Sequence, residues 1–185
     1  MARIPAATRD TVPSGQADAF DELLAGAGSV PLVGPGSIFW HVPKAQQAVT
    51  TLNQYLRNDS SLSNKILELT MLVTARENDC VYVWNAHAAS ARAAGVPDAV
   101  VDGLRDRKEL TALAPDESAV INYVQEFYRT HKVSRGAFQS AIEQFGKQGL
   151  IELSLVMGNY ALIAVAVNSF DSELPGNRTE PVLPV

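Results

Sequence analysis

Four residues in one stretch of the chain have the types and spacing to do chemistry together: Glu68, Cys80, Trp84 and His87. Glu68 is followed at three, four and seven positions by Met71, Leu72 and Ala75, so its carboxylate lies on an apolar helix face. A carboxylate there resists ionisation unless it is paired, and such a group suits acid–base work near neutral pH. The plainer reading is that Glu68 marks the edge of a buried stripe. Cys80 follows Asn78 and Asp79, a good capping pair, which predicts Cys80 in the first turn of a new helix. Free N–H groups and the helix dipole would favour a thiolate there, against the charge of Asp79. A buried structural thiol is the equal alternative.

His87 lies seven residues after Cys80 and three after Trp84, on one side of the same helix. Seven residues rise roughly 10 Å, so His87 cannot bond Cys80 directly along that helix. The small side chains of Ala86, Ala88 and Ala89 leave room for a pocket, although a satisfied core histidine would read the same way. His41, between Trp40 and Val42, begins a helix among aromatic neighbours and could face the same cavity. Asn159 and Tyr160 interrupt the most apolar helix, and Asn159 must find hydrogen bonds inside the protein or on a ligand. His131, beside Lys132, suits the dipole-complementing end of a helix at the surface.

The elements that must position these groups are helices. A short one spans 17–25 and stops at Gly26 and Gly28; a loop at 30–36 holds Pro31, Gly34, Pro35 and Gly36. Helical periodicity covers 38–56, with Pro43 near its start, and a break follows at 58–61. Further helices are predicted over 62–76, 80–94, 98–104 and from Pro115 to about 130. The last of these would bury Val120, Val124, Phe127 and Tyr128. Ser134 caps a helix over 135–145, and Gly146 and Gly149 loosen its junction with the final one. No strand-like alternation bounded by hairpin turns occurs. The expectation is an all-α orthogonal bundle over 16–170, with arms at 1–15 and 171–185.

Composition narrows the function. The 185 residues are 46% hydrophobic and carry a net charge of −5 with no basic stripe, so nucleic acid is not an expected partner. With one cysteine there is no intrachain disulfide and no all-cysteine metal cluster. The three histidines lack zinc-like spacing, so no metal is expected. Residues 1–15 lack the basic start, apolar core and cleavage site of a signal peptide. The one candidate membrane span, 150–167, contains Glu152, Ser154, Gly158 and Asn159 and reads better as a core or interface helix. A cytoplasmic protein is expected.

The stretch from 57 to 94 resembles the carboxymuconolactone decarboxylase family within the AhpD-like superfamily. The resemblance is carried by Glu68, by Cys80-Val81-Tyr82-Val83-Trp84-Asn85-Ala86-His87, and by Ala91-Arg92-Ala93-Ala94-Gly95-Val96-Pro97. It runs back through His41-Val42-Pro43 and Leu52 to Arg57, and forward to Asn168-Ser169-Phe170-Asp171-Ser172-Glu173-Leu174-Pro175. It implies an AhpD-like helical fold and homo-oligomers, trimers or hexamers. Peroxidase members of the superfamily carry Cys-x-x-Cys-x-x-x-His with an upstream Glu. By position these are Cys80, His87 and Glu68, but Val83 stands where the second cysteine would be. A dithiol cycle within the subunit is therefore excluded, and only a one-cysteine cycle through a sulfenic acid stays open.

The decarboxylase branch needs no second thiol. By resemblance its members act, without a cofactor, on a carboxylate-bearing lactone from aromatic-acid breakdown. His87 would then deliver the proton, Glu68 would set the charge and tautomer of His87, and Cys80 would be a wall or weak donor group. Tyr82, Val83 and Trp84 would line the substrate pocket with His41 and Asn159. A carboxylate substrate calls for an Arg or Lys clamp; the nearest in sequence, Lys65, Arg76 and Arg92, are not clearly aimed inward. Three functions are carried forward: a proton-transfer lyase on a small lactone or enone acid, a one-cysteine peroxidase, and a non-catalytic small-molecule binder.

Overall fold

The computed structural model describes residues 3–176 and 178–185. Its helices are α1 (Ala17–Ala27), α2 (Gly36–Phe39), α3 (Pro43–Asn58), α4 (Asn64–Glu77), α5 (Val81–Ala93), α6 (Asp98–Arg105), α7 (Pro115–Thr130) and α8 (Arg135–Ser169). Among the described residues there is no β-strand, and the fold is all-α.

α4 is the hub. Every residue from Ile66 to Arg76 is buried, because α5, α7 and α8 all pack against it. Leu69, Met71, Leu72 and Val73 have no exposed surface, and each such side chain contributes about 1.5–3 kcal/mol on burial. Ser63 starts α4 by accepting the Ile66 N–H. A helix buried all round has no polar face on which to place a charge idly, so Glu68 in its middle must be answered by partners.

Several boundaries differ from the sequence reading for local reasons. The expected helix over 38–56 is two. α2 ends at Phe39, and Val42, which precedes a proline, leaves the helical region (φ −132, ψ 76) and lets Pro43 open α3. The expected junction is present: α8 is two helices joined at a kink at Gly146 (φ 65, ψ −179), a backbone state that glycine alone adopts cheaply. On α7, Val120 and Val124 are buried and Tyr128 packs against the core as expected, but Phe127 is exposed and does not join them. Glu117, Ala119 and Ile121 are buried as well.

The two ends of the chain are held against the bundle. Ala7 and Val12 join Phe20 and Trp40 in a second small core, where the Phe20 and Trp40 rings meet edge-on at 5.7 Å. At the other end Leu183 is buried in the main core, and Glu180 pairs with Arg92 at 3.2 Å. α8 is long and apolar enough to cross a membrane, and 61% of its most apolar window is buried inside the bundle, as in a core helix.

Candidate active site

The α4–α5 junction sets the site. Asn78 and Asp79 do not cap α5 as the sequence suggests; they finish α4. The Asn78 side-chain amide donates to Thr74 O at 2.8 Å, and Asp79 takes a left-handed conformation (φ 46). The Asp79 carboxylate is held by Arg76 and Arg107 rather than by free N–H groups of α5. Cys80 is thereby the N-cap residue of α5, with extended backbone, not a member of its first turn. It has no exposed surface. Burial pushes its thiol up, and the Val83 and Tyr82 N–H groups pull the other way without prevailing. Of the two readings open in the sequence, the buried thiol is the one the geometry takes.

Glu68 and His87 do meet. Across the α4–α5 contact, His87 Nδ1 lies 2.8 Å from Glu68 Oε2. A carboxylate only accepts, so Nδ1 carries the proton and donates it. His87 Nε2 makes no hydrogen bond within the described residues, and the side chain is 12% exposed. Glu68 is 1% exposed. Its second oxygen lies 3.4 Å from Arg57 Nη2, at the last turn of α3. Arg57 Nη1 donates to the Tyr160 hydroxyl at 3.3 Å, and the Tyr160 ring from α8 stands edge-on to His87 at 5.1 Å. Burial, opposed by Arg57, pushes the Tyr160 phenol up, so it stays protonated. Four elements thus converge on one group: α3 supplies Arg57, α4 Glu68, α5 His87 and α8 Tyr160.

The other expected site residues lie elsewhere. Trp84 and Val83 are in the closed core, 1% and 2% exposed, and present no free face. Tyr82 is half-buried beneath the loop before α2. A Cβ at Gly34 would run into its hydroxyl, and Gly34 has φ 74, so that position needs glycine twice over. His41 does not turn toward Glu68; its Nε2 is 3.0 Å from Pro5 O and tethers the N-terminal arm. Asn159 is buried and donates to Asn53 Oδ1 at 3.3 Å, its own Oδ1 unpartnered. Among the described residues no group of three or more His, Cys, Asp or Glu could hold a metal ion.

The expected cationic clamps are engaged away from the site. Lys65 binds Glu117 at 2.7 Å, Arg76 binds Asp79 and the Pro184 carbonyl, and Arg92 binds Asp98, Asp102 and Glu180. Arg57 is the residue the sequence reading missed. The signal was its place: it lies just before the helix break and Glu68 shortly after it, so the chain reversal brings both to one end of the bundle.

The all-helical bundle is shared with solved structures of the AhpD-like fold. The uncharacterized peroxidase-related protein from Ralstonia eutropha JMP134, described as an alkylhydroperoxidase AhpD core, superposes with a TM-score of 0.71 at 18% identity. That alignment covers 95% of this chain and 93% of that one. An uncharacterized peroxidase-related protein from Silicibacter sp. TM1040 gives 0.70 at 16% identity, covering 96% and 93%. The debrominase Bmp8, solved with a cysteine replaced by alanine and 2,3,4-tribromopyrrole bound, gives 0.69 at 11% identity, covering 94% and 91%. No curated protein sequence matches the chain. Residues 43–126, which carry Arg57, Glu68, Cys80 and His87, match the model of the carboxymuconolactone decarboxylase family.

Proposed function

We propose that this protein is a proton-transfer lyase of the carboxymuconolactone decarboxylase kind, acting on a small carboxylate-bearing lactone or enone. The observation that carries the reading is the His87 Nδ1–Glu68 Oε2 contact of 2.8 Å, with Nε2 unbonded among the described residues. Glu68 fixes the tautomer in which Nε2 is the working nitrogen, and it stabilises the ring once Nε2 is protonated. Arg57, half of its guanidinium on Glu68 and Tyr160 and 39% exposed, is placed to receive a substrate carboxylate or enolate oxygen. As the substrate loses carbon dioxide, the C–C bonding pair passes into the conjugated system as a dienolate. Nε2–H gives its proton to carbon and the ring returns to neutral. Water then restores the proton, so the net reaction consumes one proton per carbon dioxide released.

The one-cysteine peroxidase reading is less well supported. Its nucleophile would be a thiol without exposed surface whose deprotonation burial opposes. Turnover of carboxylated lactones, followed by carbon dioxide release and by deuterium uptake from solvent, tests the proposal. His87→Ala and Glu68→Gln should each lower turnover by at least ~10²-fold, while Cys80→Ser keeps most of it. Normal turnover in both of the first two variants sinks the assignment. Peroxide reduction that vanishes in Cys80→Ser would establish the thiol reading instead. Ligand-induced melting shifts without turnover of either substrate class would mark a binder.

A further inference from the structure

α8 shows two faces that differ in kind. One is buried through Leu153, Val156, Tyr160, Ala164 and Val167. The other, turned to solvent, carries Ile151, Leu155, Leu162 and Val165, which are 52%, 41%, 46% and 64% exposed. With Gly158 between them, their spacing is four, three, four, three, the repeat of a helix that packs on another helix. From 148 to 170 the only charged residue is Glu152, and it is buried. Gly158 serves no packing within the subunit, since a Cβ there would meet open space. A glycine weakens a helix interior, and close approach of another backbone is what it allows. Beside the stripe runs a groove lined by Ala48, Val49 and Leu52 of α3 and by Leu155, Gly158 and Leu162.

The occupant is set by what flanks the stripe. Lys147, exposed, stands at one end of it and Asp171, exposed, at the other; neither has a partner within the described residues. Turning α8 end for end about Gly158 sets Ile151 beside the partner subunit's Val165 and Leu155 beside the partner subunit's Leu162. The same turn brings Lys147 to the end that carries the partner subunit's Asp171. Knobs, groove and opposite end charges therefore match themselves only when the helix is antiparallel to its own copy.

We propose that a second copy of the chain docks on this face, α8 against α8, antiparallel about a two-fold axis near Gly158. The contact is isologous and makes dimers; a hexamer accommodates it as three such pairs, and a plain three-fold ring does not. It does not depend on the chemistry proposed above, although Arg57 and Tyr160 lie one residue or one turn from its edge at Asn53 and Asn159.

Sedimentation velocity of the full chain tests it. The wild type should sediment as a dimer or an even-numbered assembly, and Leu155→Glu/Leu162→Glu as a folded monomer by circular dichroism. Lys147→Glu and Asp171→Lys should each weaken association by roughly 10-fold, and the double charge reversal should restore it. The restoration keeps the test decisive even if the double glutamate variant fails to fold. A monomeric wild type overturns the proposal, as does an assembly indifferent to the glutamates or a charge reversal no tighter than its single variants. So does a chain that stays monomeric and binds phosphatidylcholine vesicles through the same stripe.

Discussion

Glu68 and Glu152 are the same residue in nearly the same degree of burial, 1% and 2% exposed, and they have opposite surroundings. Glu152 is surrounded by neutral donors. The Tyr55 hydroxyl reaches it at 2.7 Å, the Ser61 N–H at 2.8 Å, the Ser61 hydroxyl at 2.5 Å and the Gln148 amide at 3.0 Å. Burial works against its charge, but these donors outweigh it and hold the carboxyl at about 2. None of the four changes protonation near neutral pH, so Glu152 is a fixed anion that ties α8 to the segment after α3. Glu68 instead faces an imidazole and a guanidinium, one able to give and take a proton and the other permanently charged. Burial alone does not separate the two glutamates; the protonation chemistry of their neighbours does.

The sharpest test exchanges the two positions. Glu68→Gln should cost at least ~10²-fold in turnover; the glutamine keeps the shape of the side chain, but its single amide oxygen can accept from only one of the two donors. Glu152→Gln should leave turnover within a few-fold of wild type, about a tenth of that effect or less, and lower stability. If both variants lose activity alike, the contrast between the sites is wrong.

Stability gives the next effect, and pH separates its cause. Glu152→Ala strands several buried donors, each of which costs about 1–3 kcal/mol when left without a partner. The folded-state carboxyl lies below its ordinary value, so its stabilisation is present above the ordinary carboxylate range and is lost as pH falls toward about 2. Denaturant midpoints of wild type and Glu152→Gln should therefore differ most at pH 6 and converge between pH ~4.5 and ~2. A gap that stays constant over that window would show that Glu152 stabilises by shape rather than by charge.

The same contrast explains what the sequence could show. The all-α fold was legible because apolar spacing and turn residues are local, and Ser134 caps the helix it appears to cap. The Glu68–His87 pairing could be anticipated because the α4–α5 turn is tight and the two residues lie close in the chain. Arg57 and Tyr160 could not be placed, because Tyr160 is brought in by α8, 103 positions from Arg57. The role of Asp79 was misread for the same reason. Asx residues start helices as readily as they end them, and here the choice is settled by Arg107, 28 positions away. The partners of Glu152 are likewise distant, with Tyr55 97 positions off, so in the sequence Glu152 counted only against a membrane span and its saturated site could not be read.

Arg57 should have the next smaller effect. Arg57→Lys keeps the charge and loses the planar fork that spans Glu68 and Tyr160. The Michaelis constant for a carboxylated lactone should rise roughly 10-fold, with a smaller fall in kcat, since the interaction holds substrate and transition state alike. A neutral ester of the same lactone should show no such rise. An equal rise for both would make Arg57 a support for Glu68 and not an anion receptor.

The two tyrosines give the finest discrimination. Tyr55 donates to Glu152, whereas Tyr160 accepts from Arg57 and stands edge-on to His87. Tyr55→Phe removes one donor of four from a saturated carboxylate, so its midpoint shift should be smaller than that of Glu152→Gln and turnover should not change. Tyr160→Phe keeps the ring against His87 and removes only the hydroxyl that Arg57 grips. Its stability should barely move, and kcat/KM should fall a few-fold, below the effect of Arg57→Lys because one of the two guanidinium anchors remains. Arg57→Lys and Tyr160→Phe act through one contact, so the double variant should be little worse than Arg57→Lys alone. Losses that simply multiply would separate the hydroxyl from the guanidinium, and the site would then rest on Glu68 and His87 without the link that joins them to α8.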